Sequence, residues 1–191
     1  MQSEGAKSLN IAMNDNPLGA ALIGAGKVSR AMHVPAHRAL AGSRLKWVMD
    51  VHRDGAREVA ETHGIPAWTD RYGDVLADPE VDWLDITTPN GTHAALTIEA
   101  LKAGKHVFVQ KPIASSIEEA RLMLSTARAC GRSLGVFMCF RSDPGVQAVR
   151  SLIESGSLGG IVSVRGKMIS GRGLAHNPGD WRQEEGTGGL L

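Results

Sequence analysis

The sequence predicts an α/β protein built on a doubly wound parallel sheet. Short apolar runs alternate with amphipathic stretches of about ten residues or more, the pattern of strands joined by crossover helices. The runs lack strict apolar–polar alternation, as expected of strands buried on both faces. A glycine pair, Gly24 and Gly26, separates the first run from the first amphipathic stretch, where such sheets place their ligand loop.

The elements follow in order. "AALIGAG" ends a first strand at Ile23, and a helix is predicted from Lys27 to about Ala41. "RLKWVMD" is a second strand ending at Asp50. "RDGAREVAETHG" is a helix that Gly64 stops. "IPAWT" is a short third strand, and "RYGDVLADP" a short helix stopped by Pro79. "VDWLDITTPN" is a fourth strand ending at Thr87–Thr88. In "GTHAALTIEALKAGK", Ala95, Ile98 and Leu101 fall on one helical face before Gly104 ends the helix. "HVFVQ" is a fifth strand. "SIEEARLMLSTARACG" opens with Ser116 and Glu119 in capping-box spacing and closes on Gly131. "SLGVFMCF" is a sixth strand.

Composition excludes several classes. Hydrophobic residues are 42% and charged residues 21%, the balance of a soluble globular protein. The formal net charge of +1 gives no reason to expect nucleic acid or an anionic membrane as partner. No apolar run approaches the roughly 20 residues a membrane span needs. "MQSEGAKSLNIAMNDNP" has no twin arginine and no apolar core, so residues 1–16 are expected to be a disordered leader rather than a signal peptide. Cys130 and Cys139 lack zinc spacing and are too few for a disulfide framework. They read as two buried thiols of a cytoplasmic protein, and no metal is expected.

The motifs carry the chemistry. "GAGKVS" reads Gly24-x-Gly26-x-x-Ser29 between a strand and a helix. Gly24 allows a tight turn, Gly26 lets the backbone approach a pyrophosphate, and the following helix start offers unpaired N–H groups to the anion. Gly24, Gly26, Lys27 and Val28 are therefore expected to bind a dinucleotide, making the sheet Rossmann-type. Serine stands where a third glycine or alanine is usual, and its small size still permits close helix packing. Asp50 ends the next strand 26 positions after Gly24, against a usual offset of roughly 20. A carboxylate there accepts hydrogen bonds from ribose hydroxyls and repels a 2′-phosphate, which favours NAD over NADP. His52 and Arg53 follow, and Arg53 could offset that repulsion. S-adenosylmethionine is a rival ligand for the same first turn and acid, and only later motifs separate the two.

"TTPNGTH" supplies Thr88, Pro89, Asn90 and His93 after the fourth strand. Asn90 can cap the following helix, or share a ligand contact with Thr88 and Pro89. A lone histidine such as His93 in a first helical turn is more often a surface residue than a ligand contact. In "VFVQKPIA" the fifth strand runs through Gln110 into Lys111, at the carboxyl end where such sheets bind ligands. Pro112 fixes the backbone after Lys111. A lysine–proline motif has no use in a methyltransferase, which disfavours the rival ligand.

Together "ALIGAGKVS", "VMD", "DVLADPEVDWLDITTPNGTH", "ALKAGKHVFVQKPIASSIEEA" and "WRQEEGTGGLL" resemble the glucose–fructose oxidoreductase / inositol dehydrogenase / MocA family, in order from about Leu18 to Leu191. The most specific piece is "AGKHVFVQKPIA", where Gln110 replaces the family's usual glutamate. The resemblance implies a Rossmann domain over 17–140, followed by the truncated start of a second α/β domain over 141–191. It implies an NAD(P)-dependent oxidoreductase of sugars, polyols or related carbonyl compounds, homo-oligomeric in full-length form. It places Lys111 beside the nicotinamide and the substrate oxygen, as the catalytic group in hand. It matches Arg141, Trp181 and Arg182 to substrate-side positions. The family continues with an aspartate and a catalytic histidine four residues later, beyond Leu191. The expectation is therefore a chain inactive alone, with "GGIVSVRGKMIS" as about one strand of the second sheet. The alternative is a dinucleotide-binding module without catalysis.

Overall fold

The computed structural model describes residues 17–167. The predicted leader over 1–16, together with Trp181 and Arg182, lies outside them. The chain divides into two compact units, one up to Leu84 and one from Asp85. The strands form one sheet in the order β3-β2-β1-β4-β5-β6, with β4 (Trp83–Ile86) running through the division.

The first unit holds β1 (Leu18–Ile23), α1 (Val34–Ala39), β2 (Ser43–Met49), α2 (Arg53–His63), β3 (Ala67–Thr69) and α3 (Tyr72–Ala77). β1 pairs parallel with β2, and β2 with β3. Ala20 to Ile23 are fully buried in succession, as the unbroken apolar run predicts for a strand covered on both faces. Val34, Ala56, Val59 and Ala60 pack with Leu22 and Val48 into a core that Leu45, Ile65 and Trp68 border. This burial is the main stabilising term, at about 25 cal/mol per Å² of apolar surface removed from water.

The predicted first helix differs in form. It contains a π-helical turn over Ser29–His33, marked by the Val34 N–H donating to the Ser29 carbonyl five residues back. Pro35 explains the departure. It has no N–H for the carbonyl of Ala31, and its ring crowds that carbonyl, so the turn before it widens. The helix ends at Ala39, two residues short of the expected position.

The second unit holds the end of β4, α4 (His93–Lys102), β5 (His106–Gln110), α5 (Ile117–Ala129), β6 (Leu134–Phe137) and α6 (Pro144–Glu154). β5 and β6 pair parallel from Val107↔Leu134 to Gln110↔Phe137. Ser116 caps α5 by accepting from the Glu119 N–H at 3.1 Å, while the Glu119 carboxylate accepts from the Ser115 N–H at 3.0 Å. The predicted capping box is present, shifted by one residue on its return bond.

Several expectations are corrected here. β4 ends at Ile86 rather than at Thr87–Thr88. The N-cap position of α4 is held by Thr92, not Asn90, and without a side-chain cap bond, because a 3₁₀ turn over Asn90–Thr92 comes first. The buried face of α4 is His93, Ala94, Thr97, Ala100 and Leu101, whereas Ala95 is exposed. Two polar residues occupy the core side, so apolar spacing alone picks the wrong stripe. The two cysteines are not both buried. Cys130 at the C-cap of α5 is half-buried, and Cys139 in the turn after β6 is exposed. Residues 159–167 of the expected strand "GGIVSVRGKMIS" form no strand, and its last residues lie outside those described. Val162 and Val164 there are 98% and 80% exposed, with no neighbouring strand among the described residues.

Candidate functional site

In the first unit the glycine loop follows β1 directly. Gly24 has φ +101°, a conformation that side chains rarely adopt, and its N–H donates to the Met49 carbonyl at 2.7 Å. Gly26 has no such φ, and a Cβ built on it meets nothing within 4 Å. The fold itself therefore has no use for glycine at 26. The space over it is open among the described residues. Gly26 and Lys27 are exposed, Val28 is half-buried, and Ser29 is fully buried at the helix start.

Asp50 is bonded into this loop. One carboxylate oxygen accepts from the Ala25 N–H at 2.7 Å, and the other from the His52 N–H at 2.8 Å. Each oxygen keeps a further lone pair, so the group can still accept from a ribose hydroxyl. Arg53 leans over the Trp68 ring, 5.2 Å from its centroid, with Asp70 at 3.8 Å. The sequence gives no warning of a second tie. Arg30 Nε donates to the Ala25 carbonyl at 2.9 Å, and Nη2 donates to Glu58 at 2.8 Å. That hydrogen bond first, and the guanidinium charge second, hold the Glu58 carboxyl below the usual carboxylate range.

In the second unit Thr88, Pro89, Asn90 and His93 follow β4, and Gln110 and Lys111 end β5. His93 joins the two stretches. It is fully buried, not the surface residue its position suggests. Its Nδ1 lies 2.8 Å from the Pro112 carbonyl and its Nε2 lies 2.9 Å from the Thr88 carbonyl. The Thr92 hydroxyl donates to the Pro89 carbonyl at 2.7 Å and sits 2.7 Å from the Thr88 hydroxyl, which tightens the same turn. Gln110 is 9% exposed, and its Oε1 accepts from the Lys111 N–H at 3.1 Å. The Lys111 side chain is exposed, and the Lys111–Pro112 peptide is cis. Arg141 follows β6, the neighbour of β5. It lines an apolar groove of about 430 Å³ with Phe108, Phe137 and Met138. Among the described residues no cluster of three or more His, Cys, Asp or Glu side chains could hold a metal, and no helix is long and apolar enough to cross a membrane.

A parallel sheet in the order 3-2-1-4-5-6, with a glycine turn after β1 and an acid after β2, defines a dinucleotide-fold protein. The chain belongs to the GFO_IDH_MocA oxidoreductase family with an NAD-binding Rossmann fold, whose model matches residues 18–138. It is 32% identical to scyllo-inositol 2-dehydrogenase (NAD(+)) of Bacillus subtilis over 65% of this chain and 36% of that protein. Among solved structures it resembles the WlbA dehydrogenase of Chromobacterium violaceum in complex with NADH and UDP-GlcNAcA. That match has a TM-score of 0.72 at 26% identity and covers 76% of this chain and 42% of that one. KijD10, a 3-ketoreductase of Actinomadura kijaniata in complex with NADP and TDP-benzene, matches with a TM-score of 0.69 at 26% identity. It covers 74% of this chain and 43% of its own. The chain spans about two-fifths of the length of the curated relatives it matches.

Proposed function

We propose that this chain is the cofactor-binding part of an NAD(P)-dependent oxidoreductase that transfers hydride on a sugar, polyol or related hydroxy or carbonyl compound. Gly26 carries the reading: it is a glycine that the fold does not require, beside open space, in a loop fixed by Asp50. The relatives' cofactors support the class, and their inositol and sugar-nucleotide names support the substrate class.

A bound nicotinamide supplies the hydride chemistry. The residues of this chain hold and orient. The loop amides after Gly24 receive the pyrophosphate, helped by the positive end of the helix that begins at Lys27. Asp50 accepts from the adenosine ribose and disfavours a 2′-phosphate. Arg53 does not cancel that preference, because Asp70 and the Trp68 ring already engage its charge. NAD is therefore the proposed cofactor over NADP. Thr88, Pro89 and Asn90 contribute the second loop. Lys111 orients and polarises the substrate oxygen as hydride leaves or arrives. His93 acts behind it, fixing the Pro112 carbonyl one residue past Lys111.

Titration of NADH and NADPH by fluorescence tests the reading on the 191-residue chain. Wild type is expected to bind NADH more tightly than NADPH, and Gly26→Val to lose NADH binding while keeping its fold by circular dichroism. Tighter NADPH binding would reverse the cofactor preference. Unchanged NADH affinity in Gly26→Val would remove the loop from the site. Turnover of a polyol by the 191-residue chain would exclude the non-catalytic module.

A further inference from the structure

We infer that Arg30 is a positioning residue for the cofactor's pyrophosphate, acting by turning the Gly26 N–H outward without touching the phosphate. The inference rests on the dinucleotide reading above. A trans peptide is planar, with its C=O and N–H on opposite sides. The peptide between Ala25 and Gly26 has its carbonyl fixed by Arg30 Nε at 2.9 Å. Its N–H must then point the other way. The peptide between Gly24 and Ala25 is fixed from its other end, since the Ala25 N–H donates to Asp50 at 2.7 Å. Two successive peptide planes are thus set by side chains reaching in from outside the loop. The Gly26 N–H, by contrast, has no hydrogen-bond partner among the described residues.

The Arg30 side chain would not hold this pose unaided. It is about one-third exposed, and a long side chain so placed samples many rotamers. Glu58 on α2 accepts from its Nη2 at 2.8 Å, and the Gly55 carbonyl lies 3.4 Å from the same nitrogen. The planar fork therefore faces two ways at once, Nε to the loop and Nη2 to α2. Lysine has a single point of donation and cannot span both. Arg30 and Glu58 together tie the loop to the helix after β2, much as Asp50 ties it to the strand end.

A direct charge–phosphate role predicts something different, and Glu58 separates the two. If Arg30 acted as a bare cation on the pyrophosphate, removing Glu58 would leave affinity unchanged or raise it. If Arg30 acts through the Ala25 carbonyl, removing Glu58 frees the fork and lowers affinity. The test is calorimetric titration of NADH, ADP-ribose and adenosine against the 191-residue wild type, Arg30→Met, Arg30→Lys and Glu58→Ala. We expect NADH and ADP-ribose to bind roughly tenfold more weakly to Arg30→Met, the size of one charge-assisted hydrogen bond. Arg30→Lys should fail to rescue, Glu58→Ala should weaken both by a few-fold, and adenosine should bind all four proteins equally. Equal NADH affinity in wild type and Arg30→Met overturns the inference, as does tighter NADH binding in Glu58→Ala. An equal loss for adenosine overturns it too, because a collapsed site would do that. Absence of NADH and NADPH binding in the wild type overturns the dinucleotide reading itself and the inference with it.

Discussion

Gly24 and Gly26 sit two residues apart in one loop, and the fold constrains them differently. At Gly24 the backbone demands glycine: φ is +101°, where a Cβ is strained whatever the space around it. At Gly26 the backbone is ordinary and the space is open. The two positions therefore separate what the fold requires from what the proposed function requires. Gly24→Ala should lower stability by about 1–3 kcal/mol, the cost of holding an L-residue in a sparsely populated region. Gly26→Ala should leave the thermal midpoint near wild type, since its Cβ meets nothing. Thermal melts of both variants check this. A large loss in Gly26→Ala would show that the fold, not a ligand, requires that glycine. Asp50 is a structural clasp, since its carboxylate receives two backbone N–H bonds. Any effect of its substitution on the proposed binding includes the loop it holds.

At the scale of elements, the opening of β1 shows how tightly the pieces are matched. A Cβ on Gly19 would stand 1.8 Å from the Glu80 carbonyl oxygen. The Gly19 N–H donates to the Asp82 carboxylate at 2.7 Å, and the Asp82 N–H donates back to the Gly19 carbonyl at 2.8 Å. Gly19→Ala must push backbone, not a flexible side chain. It should destabilise by about 1–3 kcal/mol or more, read as a lowered urea midpoint. A midpoint within error of wild type would mean that the approach at Gly19 is looser in solution. Much of this level is legible in the chain. β5 is found at its expected bounds because an apolar run lies between Gly104 and Lys111. α5 is found because Ser116, Glu119 and Gly131 mark both its ends. At the candidate site the misses share a cause, contacts that no local pattern encodes. Arg30 goes unmarked in the sequence because its partners are a backbone carbonyl five residues back and a carboxylate 28 residues on. His93 reads as surface because both its partners are main-chain carbonyls, one of them 19 residues away.

For the molecule as a whole, charge and exposed apolar surface act together. Net charge is +1 and the isoelectric point is about 7.9, so little long-range repulsion separates copies near neutral pH. α6 meanwhile presents Val146, Val149, Leu152 and Ile153 on one face, each between 42% and 54% exposed. Its start is well made, since Asp143 accepts from the Gly145 and Val146 N–H groups at 2.9 and 3.1 Å and Pro144 opens the first turn. A stable helix with a bare apolar stripe favours burial against another surface. We expect the 191-residue chain to self-associate with rising concentration. Val149→Gln with Leu152→Gln keeps helix propensity and net charge while removing the centre of the stripe. Light scattering over a concentration series should then show association reduced, with NADH affinity unchanged, because neither residue belongs to the proposed cofactor loops. Undiminished association in the double variant would move its cause to another surface of the chain.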